Sequence, residues 1–91
     1  MNKSELIRAV SESSGLSKTD ATKVLDGMID TISNAVRQGE KVSIAGFGTF
    51  ERRERAARTG RNPQTGEELQ VAASKTPAFK AAKAFKDAVN S

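Results

Sequence analysis

The segment that most limits how this chain can fold runs from Arg52 to Gly66. It contains no large apolar side chain, so it cannot contribute to a hydrophobic core. It contains only one acidic residue, Glu54, and five arginines, which are Arg52, Arg53, Arg55, Arg58 and Arg61. The segment must therefore project from a body that the residues on either side of it build.

The end of this segment, Asn62-Pro63-Gln64-Thr65-Gly66, has the composition of a turn. Asn is favoured at the first turn position, Pro presets φ at the second, and Gly tolerates a positive φ where the chain reverses. The sequence predicts a β-hairpin with a basic stem and a proline at its tip. Because an isolated two-stranded hairpin is marginally stable in water, we expect it to be mobile until it contacts a negatively charged surface.

Strand alternation puts much of the positive charge on one side of this hairpin. Arg53, Arg55, Thr59 and Arg61 fall on the same face, with only the small Ala57 between them. Such a face can approach a groove closely, which favours contact with a nucleic acid. A solvated charged hairpin and a localisation signal are the alternatives, although a localisation signal is usually denser in lysine and needs no turn.

Two helices are predicted before the hairpin. Asn2 with Glu5 forms a capping box for a short helix over about 3–14, and Ser17 with Asp20 begins a longer one over about 18–38. The second helix has the strongest periodicity in the chain, with apolar residues at Ala21, Val24, Leu25, Met28, Ile29, Ile32, Ala35 and Val36. We expect this apolar stripe to be core or dimer interface.

The remaining residues predict a small antiparallel sheet and a last helix. A strand over 41–45 is followed by the Gly46-Phe47-Gly48 turn, and a second strand begins near Thr49 and runs on into the hairpin. The return strand covers about 67–75, and the segment 76–79, which contains a proline, terminates it. A helix then covers about 81–90. Phe47, Phe50 and Phe79 are predicted to be aromatic residues of a dimer core, since 91 residues leave a thin core for one copy.

Charge and composition narrow the class of function. Residues 1–50 carry six basic and six acidic side chains, whereas residues 51–91 carry nine and five, so the net charge of +4 lies in the second half. This distribution is typical of a polyanion-binding surface on a neutral scaffold. The absence of Cys and His excludes disulfides and a Cys/His zinc site. The sequence also lacks a convergent pair of carboxylates of the kind that would indicate an enzyme. No membrane span or secretory leader is recognisable, so we expect a cytosolic protein.

Three motifs strongly resemble those of the bacterial histone-like HU family, which is related to integration host factor. They are the segments 45–50 (Ala-Gly-Phe-Gly-Thr-Phe), 55–66 (with the Arg-Asn-Pro-Gln-Thr-Gly tip) and 77–80 (Pro-Ala-Phe-Lys). The resemblance runs the full length of the chain. It implies an α+β fold: an intertwined dimer with a helical base, a small antiparallel sheet and a protruding β-ribbon arm per subunit. No cofactor and no metal are implied.

The resemblance also implies a division of labour along the single domain, 1–91. Residues 1–40 would be the helical dimerisation half, 41–52 and 74–80 the sheet body, 53–73 the DNA-binding arm, and 81–90 the C-terminal helix. Carried over by position, the DNA-binding residues are Lys3, Arg53, Arg55, Arg58, Arg61, Asn62, Pro63, Gln64, Lys75, Lys80, Lys83 and Lys86. Pro63 would wedge between base steps, and the lysines would meet phosphates on the body.

The chain departs from the family pattern at Ala81-Ala82, where members usually have Pro-Gly. Alanine favours helix, so the last helix is expected to begin earlier than in those members. The direction in which the Lys83 side chain points is then left open. Lys80, Lys83 and Lys86 recur every three residues, and a row of this kind is either a phosphate contact or a solvated helix face.

The function implied is that of a nucleoid-associated architectural protein in the bacterial cytoplasm. It would bind duplex DNA through the minor groove with little sequence preference and bend or compact it, and a preference for nicked, gapped or bent DNA stays open. The alternative is a site-specific bender resembling integration host factor. A purely structural dimer that recruits proteins is a third hypothesis. RNA binding stays open as a side activity, since phosphate contacts discriminate poorly.

Overall fold

The computed structural model describes the backbone of residues 1–91 and every side chain except that of Val71, which the sequence places in the return strand. The chain forms two compact units, Met1–Asn34 and Ala35–Ser91. The elements in chain order are α1 (Lys3–Ser14), α2 (Lys18–Arg37), β1 (Val42–Ile44), β2 (Gly48–Arg55), β3 (Arg58–Arg61), β4 (Glu68–Val71), β5 (Ser74–Ala81) and α3 (Lys83–Val89). No helix among the described residues is long and apolar enough to span a membrane.

The first unit consists of α1 and most of α2, and local capping sets where both helices begin. The Asn2 Oδ1 accepts a 2.9 Å hydrogen bond from the Glu5 N–H, and Ser17 Oγ accepts one of 3.1 Å from the Asp20 N–H. Each bond satisfies an amide that has no partner within its own helix. The predicted bounds 3–14 and 18–38 are therefore confirmed to within one residue.

The apolar stripe of α2 is largely uncovered in a single chain. Ala21 is fully buried, whereas Val24, Met28 and Ile29 are exposed. Leu6 and Leu16 in the same unit are exposed as well. Large aliphatic side chains in water lose the burial free energy that normally stabilises an amphipathic helix. The first unit thus presents an apolar surface that one copy of the chain does not cover.

The second unit contains a three-stranded antiparallel sheet in the order β1-β2-β5. Phe50 in β2 lies opposite Val42 on one side and Phe79 on the other. Alternation puts these residues on one apolar face and Thr49, Glu51 and Arg53 on the opposite, polar face.

Beyond this sheet, β3 and β4 form a separate two-stranded ribbon. Arg55 pairs with Ser74 at the end of β2, and Arg58 pairs with Val71 at the start of β3. Two residues lie between these pairs on each strand, so the register is unchanged across the interruption. All four of these residues, at 56, 57, 72 and 73, are alanine, which is depleted in strands and offers no cross-strand side-chain pair. The sequence predicted one uninterrupted strand here, whereas the ladder breaks at this alanine-only step.

Four phenylalanines form one cluster on the apolar face of the sheet. The ring centroid of Phe79 lies 4.9, 5.1 and 6.2 Å from those of Phe50, Phe47 and Phe85, respectively. The centroids of Phe47 and Phe85 are 5.1 Å apart. These distances are those of favourable aromatic pairs. A Cβ at Gly48 would collide with the Phe79 ring and the Lys80 carbonyl oxygen, so only glycine allows β2 and β5 to approach this closely.

Two sequence-based predictions about the C-terminal part were wrong. The last sheet strand does not end at 76–79 but continues through Pro77 to Ala81, because β5 is an edge strand and tolerates a residue without an N–H. The helix does not begin near residue 81 or earlier, but at Lys83. Ala81 pairs with Gly48, and the Ala82 N–H donates a 2.9 Å hydrogen bond to the Phe47 carbonyl. These sheet contacts override the helix propensity of the alanine pair.

The start of α3 can be stabilised by a cap that the chain lacks. Ala82 occupies the N-cap position in extended conformation and has no side-chain oxygen to offer the first helical amides. We expect Ala82→Ser to raise the free energy of unfolding by about 1 kcal/mol in denaturant titrations. The control is Ala84→Ser, which makes the same change inside the helix and should lower stability by about 0.5 kcal/mol. Equal effects at both positions would contradict the N-cap assignment.

Candidate nucleic-acid interface

The tip of the β3–β4 ribbon is a closed turn held by the backbone and side chain of Asn62. The Asn62 Oδ1 accepts a 2.9 Å hydrogen bond from the Gln64 N–H, and its carbonyl oxygen accepts one of 2.7 Å from the Gly66 N–H. Gly66 has φ 72°, a region that side chains with a Cβ rarely adopt. These bonds confirm the predicted turn and leave Pro63 exposed at the outermost point of the ribbon.

Three arginines at and beyond the end of β2 have no counter-charge among the described side chains. The side chains of Arg55, Arg58 and Arg61 are exposed and make no ion pair or hydrogen bond with any side chain that the structure describes. Glu68 lies opposite Arg61 in the ladder, yet the two side chains form no ion pair. The ribbon therefore presents unneutralised guanidinium groups to solvent, and these can form bidentate bonds with phosphate.

Arg52 differs from its neighbours because it is tied to the body. Its side chain is only 22% exposed, and Nη1 donates a 2.9 Å hydrogen bond to the Arg37 carbonyl at the end of α2. Nη2 lies 2.7 Å from Glu54 Oε1. A guanidinium at a helix C-terminus satisfies a carbonyl that has no partner in the helix. Of the five arginines between Arg52 and Gly66, this one anchors the fold.

The predicted lysines lie in different surroundings. Lys3 is in the helical unit, where Nζ lies 2.7 Å from Asp26 Oδ1. Lys75 and Lys80 are on β5, and Lys83 and Lys86 are in α3. Of these four, only Lys80 has an ion pair among the described side chains, at 3.5 Å from Glu51 Oε1. The lysines of α3 are exposed and form no ion pair with a described side chain, although Asp87 lies in the same helix, and their role remains a prediction.

Two residues near the candidate site were missed from the sequence. Phe85 joins Phe47, Phe50 and Phe79, the three predicted dimer-core aromatics, and its helical spacing was the only available signal. Glu51 is buried on the polar face of the sheet although its neighbours there are charged. Strand alternation puts Glu51 and the exposed Glu54 on opposite faces, but it does not predict that Glu51 is buried, because this burial depends on side chains from three different segments.

No group of acidic, Cys or His residues among the described side chains is arranged to hold a metal ion. What the second unit offers is a protruding basic ribbon with a proline tip, a sheet with a charged face, and an exposed row of lysines. This surface suits a long polyanion better than a small ligand.

Comparison with known proteins agrees with this geometry. The family model for bacterial DNA-binding proteins matches residues 1–90. DNA-binding protein HU of Geobacillus stearothermophilus is 66% identical over 89 residues, which cover 98% of this chain and 99% of the relative. DNA-binding protein HU 1 of Bacillus subtilis strain 168 is 63% identical over 89 residues, covering 98% and 97%. This chain belongs to the bacterial DNA-binding protein family.

Solved structures of HU proteins share the fold. A cocrystal structure of Anabaena HU with DNA superposes with a TM-score of 0.87 at 48% identity, covering 98% of this chain and 97% of that one. HU from Thermotoga maritima gives a TM-score of 0.69 at 36% identity, with 98% of each chain covered. The predicted α+β HU fold and the resemblance to the HU family are thereby confirmed.

The anchoring role of Arg52 can be separated from the role of the other arginines by stability measurements. Arg52→Met keeps the aliphatic stem but removes two hydrogen bonds of a charged group, so we expect the free energy of unfolding to fall by about 2 kcal/mol. The matched control is Arg55→Met on the same strand, where an exposed side chain that has no partner among the described residues should change stability by less than about 0.5 kcal/mol. If both variants unfold at the same denaturant concentration, Arg52 is not an anchor.

Proposed function

We propose that this protein is an architectural DNA-binding protein that binds duplex DNA through the minor groove with little sequence specificity and bends or compacts it. The family consists of non-enzymatic DNA-binding proteins, and the relatives above are named DNA-binding protein HU. The observation that carries the proposal is the ribbon itself, with unneutralised arginines along its stem and an exposed proline at its tip.

The arginines supply most of the attraction to DNA. Each guanidinium that replaces a counterion at a phosphate makes binding weaken as salt rises. Because arginine is attracted to the negative potential of a narrow minor groove, the ribbon can follow the groove without reading bases. We assign this role to Arg53, Arg55, Arg58 and Arg61, with Lys3, Lys75, Lys80, Lys83 and Lys86 as phosphate contacts on the body.

Pro63 acts as a wedge at the tip. Its ring is rigid and apolar and has no N–H, so it can enter between two base pairs without leaving a buried donor unpaired. Asn62 and Gln64 flank it, and the hydrogen bonds of Asn62 hold the turn in shape. Separating a base step costs a few kcal/mol for architectural proteins of this kind, and the additional contacts of bent DNA offset that cost.

We assign residues 53–73 to the DNA-binding arm, 1–40 to the dimerisation half, 41–52 and 74–80 to the sheet body, and 81–90 to a C-terminal segment whose helix spans Lys83–Val89.

The alternative function is that of a site-specific bender resembling integration host factor, and a competition experiment distinguishes it from non-specific binding. If binding is non-specific, unlabelled random DNA and an unlabelled selected site should displace a labelled duplex from the protein equally well. The same competition with RNA as the competitor tests whether the phosphate contacts also bind RNA.

The protein acts as a homodimer. In the helical unit Val24, Met28 and Ile29 are exposed, and in the second unit Phe47 and Phe79 are exposed although they belong to the aromatic cluster. A second copy of the chain is the occupant that covers these surfaces, because a chain of 91 residues with so few buried apolar side chains has little to stabilise it alone. We place the dimer in the bacterial cytoplasm, on the nucleoid.

Dimer formation predicts a concentration-dependent stability. Phe47→Ala should lower the melting temperature at micromolar protein and make that temperature depend more steeply on concentration, because Phe→Ala at a buried site costs about 3–5 kcal/mol. The control is Leu69→Ala. Leu69 is 46% exposed in one chain and Phe47 is 42% exposed, yet Leu69 lies on the ribbon and should change the melting temperature little. A folded monomer of the wild type in analytical ultracentrifugation would refute the dimer.

Binding and bending should separate at Pro63. We expect Pro63→Ala to bend an intact duplex much less in a fluorescence energy-transfer assay, while affinity falls by only about 1 kcal/mol because the unstacking cost is also avoided. On nicked or gapped DNA the base step is already open, so this variant should nearly match the wild type. Arg61→Ala is the control, and it should weaken binding to intact and nicked DNA alike. If Pro63→Ala bends intact duplex as sharply as the wild type, the proline only shapes the turn.

A further inference from the structure

The polar face of the sheet contains one buried carboxylate that the proposed function does not use. Glu51 is only 8% exposed, and three cations surround it. Lys80 Nζ and Arg53 Nε lie 3.5 and 3.7 Å from Oε1, and Lys41 Nζ lies 3.8 Å from Oε2. We call Lys41, Glu51, Arg53 and Lys80 the Glu51 cluster. It draws on three segments: the residue before β1, strand β2 and strand β5.

The geometry of the Glu51 cluster differs from that of an ordinary ion pair. A charge-assisted N–H···O bond measures about 2.7–2.9 Å, and all three distances in the cluster are longer. Arg52 and Glu54, one residue away on the opposite face, make such a direct bond at 2.7 Å. Glu51 is therefore shared by three cations and is not committed to any one of them.

The cations remain accessible while their carboxylate is covered. Their side chains are 60–71% exposed, whereas the Glu51 side chain is 10% exposed. Lysine and arginine can lay their aliphatic stems over a buried group and keep the charged head in water. A buried carboxylate is costly unless cations compensate it, so Glu51 draws together three groups that would otherwise repel one another.

We propose that Glu51 is a positioning residue that gathers Lys41, Arg53 and Lys80 into one phosphate-binding site on the body of the protein. The proposal rests on the DNA-binding function above and adds Lys41 to its contacts. In this site the carboxylate faces the protein and the three cation heads face outward, where one or two adjacent phosphates of a DNA strand can reach them. The single negative charge of Glu51 cancels one of the three positive charges, so the cluster acts on DNA as two.

This cancellation has a signature in the salt dependence of binding. The slope of log K against log salt changes by about 0.9 for each phosphate neutralised by the protein. Glu51→Gln frees one cationic charge and keeps a side chain of the same size whose amide oxygen can still accept hydrogen bonds from the cations, so the slope should become steeper by about 0.9 for each cluster in contact with DNA. Between about 50 and about 200 mM salt, that difference amounts to an additional loss of affinity of about 3.5-fold per cluster.

The test measures salt slopes on one random-sequence duplex for four variants, with thermal unfolding as a check that each is folded. Glu54→Gln is the matched control, because it removes the same charge from the same strand and, among the described side chains, pairs only with Arg52. Its slope should equal that of the wild type. Lys41→Gln should make the slope shallower by about 0.9 per cluster. The double variant Glu51→Gln with Lys41→Gln should return to the wild-type slope.

Each outcome is informative. Equal salt slopes for Glu51→Gln and Glu54→Gln would overturn the proposal. An unchanged salt slope for Lys41→Gln would also overturn it, and this second result can be obtained even if the Glu51 variant does not fold. A double variant whose slope is shallower than that of either single variant would mean that Glu51 only maintains the fold. Absence of DNA binding by the wild type at low salt would refute the proposed function itself, and so the two failures are distinguishable.

Discussion

The antiparallel pairing between the strand that leaves Gly48 and the strand that returns to Ala81 is the interaction on which the second unit depends. One register holds from the Gly48–Ala81 pair to the Arg61–Glu68 pair, across the alanine-only step. At the body end this ladder brings Phe50 against Phe79 and supports the aromatic cluster. At the far end no described side chain of the ribbon is buried, and the ribbon is held by the backbone ladder, the Asn62 turn and a hydrogen bond from the Glu67 N–H to Thr65 Oγ1. A single pairing scheme thus yields a stable body and a marginal arm.

The charges follow the same division. On the sheet body, four cations are tied to acids or carbonyls: Arg52 to Arg37 and Glu54, and Lys41, Arg53 and Lys80 to Glu51. Lys75, also on the sheet, has no ion pair among the described side chains. Along the arm, arginines from Arg55 outward have no partner among the described side chains. Cations that are already compensated contribute little to DNA binding until their acid is displaced or shared, whereas free ones contribute fully. The arm is therefore the part of the chain that gains most from a polyanion, and the body presents a weaker, organised site.

Features determined by neighbouring residues were predictable from the sequence, and those determined by distant residues were not. The caps at Asn2 and Ser17 and the Asn62–Gly66 turn depend on hydrogen bonds across two to four residues, and their positions were predicted correctly. The start of α3 was predicted too early, because the alanine pair before it is held by sheet pairing and by the Phe47 carbonyl. The burial of Glu51 has the same origin, since side chains from three segments create it. The Arg-Asn-Pro tip was recognisable because its residues are adjacent.

We propose that the arm has little stability of its own until DNA covers it, whereas the body is stable without DNA. Amide hydrogen exchange of the free and DNA-bound protein tests this directly. We expect amides of β3 and β4 to exchange rapidly in the free protein and to become protected on duplex DNA, while those paired between β2 and β5 near Phe50 are protected in both states. Arm amides that are as protected as the body in the free protein, or that gain no protection on DNA, would contradict it.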